Sequence, residues 1–81
     1  MVRQQMPLAM ACLYEEVTVV NIRGGRGLTR RLADMGLTPG TVLRVINSQM
    51  PGPVVIDLRG SRLVLGFGVA QKILVERKGN G

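Results

Sequence analysis

The placement of glycine and proline constrains this chain more than any other feature. Between Arg23 and Ile73 they fall at Gly24-Gly25, Gly27, Gly36, Pro39-Gly40, Pro51-Gly52-Pro53, Gly60, Gly66 and Gly68. Glycine accepts backbone angles that other residues avoid, and proline cannot donate to a central ladder. Only short stretches lie between these breaks, and most are rich in Val, Ile and Leu. EEVTVVNIR (15–23), TVLRVINS (41–48), VVIDLR (54–59), RLVLG (62–66) and ILVE (73–76) read as strands. Turn signals about every eight to twelve residues predict a mainly β fold, a small and strongly bent antiparallel barrel of about five strands. Gly40, Gly60 and Gly66 mark its expected corners. Alternation places Thr18, Val20 and Ile22 on one face of the first strand and Val17, Val19 and Asn21 on the other.

One stretch breaks the pattern. GGRGLTRRLADMGLTPG runs from Gly24 to Gly40. Leu28, Leu32 and Met35 are spaced i, i+4, i+7, which puts them on one side of a helix, and all three are expected to hold it against the barrel. Thr29 or a neighbouring backbone group caps its start. Gly24 and Gly25 make the corner that leads in. Gly36 stands where a left-handed residue ends a helix, and Leu37 follows as an apolar clasp. Pro39 and Gly40 preset the two central angles of a tight turn. Phe67–Lys72 is expected to add one short helical turn.

The chain has 81 residues, enough for one domain. That domain is expected to span 1–81, with a core over about 7–76 and a polar, frayed tail over 77–81. No apolar run approaches the roughly 18 to 20 residues of a membrane helix. The apolar part of MVRQQMPLAMACL is short and broken by Pro7, so it reads as mature protein rather than a leader. The lone Cys12 excludes an internal disulfide and suits a reducing, cytoplasmic compartment. The formal charge of +6 favours nucleic acid, anionic lipid or an acidic protein face, or simply keeps a small apolar domain soluble. Its densest cluster is Arg23, Arg26, Arg30 and Arg31.

The order GG, a gap, RLADMGLTPG, a strand, the PGP loop, RGSRLVLG and finally KILVE resembles the FeoA family, from about Pro7 to Glu76. The same domain is similar to the C-terminal module of iron- and manganese-dependent repressors. The resemblance implies an SH3-like β-barrel and a small cytoplasmic protein of ferrous iron uptake. It also implies a partner, a membrane ferrous iron transporter with a GTPase domain. Tyr14 departs from the family pattern, which commonly has glycine there, and this gives Tyr14 a packing or interface role.

The residues themselves weigh against chemistry. There is no histidine, no nucleophile beside a base and no pair of carboxylates at helical spacing, so no enzyme is expected. The glycines before the helix lack the GK[ST] ending of a nucleotide loop, so they read as a corner and no cofactor is expected. Specific nucleic-acid binding lacks stacking aromatics among the arginines. A metal site is open only to Cys12 with Glu15 or Glu16, completed by a second molecule; otherwise Cys12 is a half-buried small hydrophobe. A partner face remains, with Arg26, Arg30 and Arg31 on the helix and Met50 and Pro51 in the Met50–Pro53 loop after the second strand. Exposed strand edges also allow a homo-oligomer. A module that recognises a repressor or nucleic acid, or senses metal, is the alternative.

Overall fold

The computed structural model describes residues 5–77. The first and last stretches, including most of the tail 77–81, lie outside the described residues. The chain forms β1 (Gln5–Pro7), a 3-10 turn (Leu8–Met10), β2 (Glu16–Ile22), α1 (Arg26–Asp34), β3 (Val42–Ser48), β4 (Val54–Leu58), β5 (Ser61–Leu65), α2 (Phe67–Lys72) and β6 (Ile73–Arg77). One antiparallel sheet has the order β1-β6-β2-β3-β4-β5. Six strands form it rather than about five, because Gln5–Pro7 pairs with Leu74–Glu76 where the sequence offers only an apolar lead-in. The ladder leaves β1 and β5 as its two edges.

Two register shifts bend the sheet, between Val19 and Asn21 in β2 and between Val45 and Asn47 in β3. The first corrects the simple alternation of β2. Val17 and Val19 are buried as that alternation requires. The extra residue then reverses the faces. Asn21 pairs with Leu74 and stays exposed, while Ile22 pairs with Ile73 and packs on the core.

The core is aliphatic. Val17, Val19, Leu43, Val45, Val54, Ile56, Leu65, Ile73 and Val75 come from the strands; Leu8, Leu32, Leu37 and Ala70 close the ends. No polar or charged side chain is buried among the described residues. At about 25 cal/mol per Å² of apolar surface, this contact is the main favourable term holding so small a domain.

Candidate functional site at the helix end and the loop end

Helix α1 joins the end of β2 to the start of β3. Its start is set by Gly25, the N-cap residue, whose carbonyl accepts the Thr29 N–H at 3.1 Å; no side chain caps it, so Thr29 does not fill that role. Leu28 is half-buried and Leu32 buried, as their spacing predicts. The helix ends in a double hydrogen bond. Gly36 N–H donates to Ala33 O at 2.9 Å and Leu37 N–H to Leu32 O at 2.8 Å. This is the Schellman arrangement, and Gly36 permits it by taking φ 92°. Met35 is the exception to the predicted stripe. It is 39% exposed and lies outside the core. Beyond the reversal at Gly36 it is Leu37 that is fully buried in the core, as the spacing predicts for Met35.

The two flanking corners follow the sequence more closely. Gly24 has φ 145°, and Gly25 an ordinary extended conformation. Pro39 and Gly40 form the central pair of the turn closed by Thr41 N–H to Thr38 O at 3.0 Å, with Gly40 at φ 97°.

The outward face of α1 is basic. Arg26, Arg30 and Arg31 are exposed. Arg26, Thr29, Arg30 and Ala33 share a helical stripe and, with Gly24, line an open groove of about 430 Å³. Other basic residues reach the same end. Arg23 N–H donates to Lys72 O at 2.7 Å, which brings the end of β2 to the end of α2. A β-carbon at Gly36 would lie 3.3 Å from Leu58 Cδ2, which sets the β4–β5 hairpin and its Arg59 beside the end of α1. Sequence reasoning missed Arg59 and Lys72, because only the strand pairing brings them to the helix.

Met50 and Pro51 lie at the opposite end, in the β3–β4 loop. Glu16 is opposite Arg44, and the chain beyond it continues along β3 through Tyr14 N–H to Val45 O. Ser48 then pairs with Val54, and Val54 with Leu65. The Leu13–Tyr14 turn, the Met50 loop and the last residues of β5 therefore gather at one end. Leu13, Tyr14, Met50 and Val64 all expose large apolar side chains there. Tyr14 holds φ 64°, a left-handed conformation, in the turn where Glu15 N–H donates to Cys12 O.

The weak metal candidates are arranged as follows. Cys12 is exposed rather than half-buried. Its N–H donates to Glu15 Oε1 at 3.2 Å, so these two do meet. Arg77 occupies the same place, with Nε 2.6 Å from Glu15 Oε2 and a guanidinium nitrogen 3.9 Å from Cys12 Sγ. Glu16 is engaged by Arg44 at 3.2 Å. Among the described residues no three His, Cys, Asp or Glu side chains cluster as metal ligands. No described helix is long and apolar enough to cross a membrane.

The model of the FeoA domain matches residues 6–77. The chain belongs to the FeoA family. A relative from Methanocaldococcus jannaschii, provisionally named Fe(2+) transport protein A, is 47% identical over 70 residues, covering 86% of this chain and 84% of its own. The crystal structure of an iron uptake regulatory protein (FeoA) superposes with a TM-score of 0.85 at 35% identity, over 91% of this chain and 99% of that one. A manganese-dependent transcriptional repressor superposes at 0.84 with 22% identity, over 95% of this chain but 44% of its own. The repressor thus shares the fold as one module of a longer chain. The SH3-like reading of this FeoA protein holds, with an extra edge strand added to it.

Proposed function

We propose that this FeoA protein is a non-catalytic accessory and regulatory protein of ferrous iron uptake. It works in the cytoplasm and binds the cytoplasmic part of a ferrous iron transporter that carries a GTPase domain. One observation carries the docking claim: the Leu13–Tyr14 turn, the Met50 loop and β5 all expose apolar side chains at the end of the sheet away from α1. A small aliphatic domain exposes such a cluster where a protein partner covers it. Met50 and Pro51 supply the apolar contact, and Arg26, Arg30 and Arg31 supply the electrostatic one. The names of the M. jannaschii relative and of the FeoA crystal structure support the iron-uptake setting. The non-catalytic reading is supported by carboxylates that face arginines, Glu15 on Arg77 and Glu16 on Arg44.

Affinity capture from detergent-solubilised host membranes tests this, with wild-type chain and Met50→Asp as baits. The wild type should retain the transporter and the variant should lose it while melting at the same temperature. Recovery of only RNA or a repressor by the wild type, or equal recovery by both baits, removes the reading.

A further inference from the structure

We propose that the α1 end of the molecule binds the surface of an anionic lipid bilayer. Arg23, Arg26, Arg30, Arg31, Arg59 and Lys72 are all exposed there. They come from the β2–α1 corner, α1, the β4–β5 hairpin and the last residue of α2, and meet through the contacts of Arg23 with Lys72 and of Gly36 with Leu58. The same segments hold two carboxylates, exposed Asp34 on α1 and half-buried Asp57 on β4, two residues before Arg59. Among the described residues no ion pair engages any of the six cations, whereas Arg44 and Arg77 elsewhere are paired. Among the described residues nine cations stand against five carboxylates, and six of the nine lie at this end.

The layout of that charge selects the partner. A nucleic-acid strand takes stacking aromatics inside a basic groove. Here Tyr14 is at the far end and Phe67 is half-buried against the core. An acidic peptide needs a cleft that gathers its counter-charges. The groove along α1 draws on only Arg26 and Arg30. A lipid surface is a plane of negative charge, and cations carried on four separate segments of one end can meet a plane together. Met35 adds an exposed apolar side chain just past α1, suited to the headgroup boundary. The inference moves the electrostatic contact of Arg26, Arg30 and Arg31 from the transporter to the lipid beside it, and rests on the proposed function only for its setting, a partner embedded in the membrane. Its test contains lipid alone, so the two can fail separately.

Each Lys or Arg brought near an anionic surface multiplies affinity about fivefold. Co-sedimentation with phosphatidylglycerol–phosphatidylcholine vesicles and with pure phosphatidylcholine vesicles reads this directly. The wild type should bind the first and ignore the second. It should dissociate at about 1 M salt, where the screening length is about 3 Å. Arg26→Gln, Arg30→Gln and Arg31→Gln combined should lower the affinity by about two orders of magnitude. Arg30→Glu and Arg77→Glu change the net charge equally, but Arg77 lies at the far end of β6, opposite Val17. Only Arg30→Glu should weaken binding strongly, and this pair decides if the triple variant does not fold. No binding to the anionic vesicles, equal binding to both kinds, or equal loss in the two charge reversals overturns the proposal.

Discussion

Tyr14 holds a backbone conformation that suits glycine, at φ 64°. For an ordinary side chain the left-handed region costs about 1–2 kcal/mol. The ring recovers little of this, since it is 69% exposed. Tyr14→Gly should therefore stabilise the fold by about 1 kcal/mol and raise the melting temperature by about 4–8 °C. A drop in a calorimetric melt would show instead that the ring packs in solution. The resemblance to the family marked Tyr14 as unusual at its position, but not why. The reason is a torsion angle, and residue identity reports torsion only through the glycine that is absent. Met35 makes the converse point. Its spacing from Leu28 and Leu32 was legible, yet periodicity assumes that the helix continues, and here Gly36 reverses the chain to insert Leu37.

At the scale of elements, α1 depends on that reversal and on Leu32, which is 2% exposed. Leu32→Ala should cost about 2–5 kcal/mol, enough to unfold much of a domain with so thin a core. An unchanged thermal melt would place Leu32 outside the core. The β4–β5 hairpin offers the opposite change. Leu58 pairs with Ser61 across Arg59 and Gly60, whose φ values of 53° and 87° are those of a type I′ turn. Asparagine suits the first position better than arginine. Arg59→Asn should add a few tenths of a kcal/mol up to about 1 kcal/mol in urea unfolding while lowering vesicle affinity about fivefold. A destabilised hairpin would contradict the first expectation. Strand positions, the helix and both flanking turns were legible because β-branched runs, i, i+4 spacing and glycine stops are local signals. The bulges of β2 and β3 were not, since a bulge is decided by the partner strand. β1 was missed because three residues carry no period.

At the scale of the molecule, the charged and apolar surfaces sit at opposite ends of a sheet whose β2 strand spans seven residues, roughly 20 Å. Chain order hides this. Arg59 and Lys72 lie far along the sequence from Arg26, and Leu13 is far from Met50; antiparallel pairing folds each set together. Of the candidate site, the α1 arginines and the Met50 loop were legible as separate patches, but their opposition was not.

Spreading the basic residues over four segments also shapes how this protein tolerates change. On the lipid-surface proposal no single arginine there is indispensable, so substitutions should erode the electrostatic contact by degrees and a gain on one segment offset a loss on another. Gly36 has no such understudy, because one torsion at one position ends the helix. Drift in this lineage is therefore expected to move the positive charges about while leaving that glycine in place.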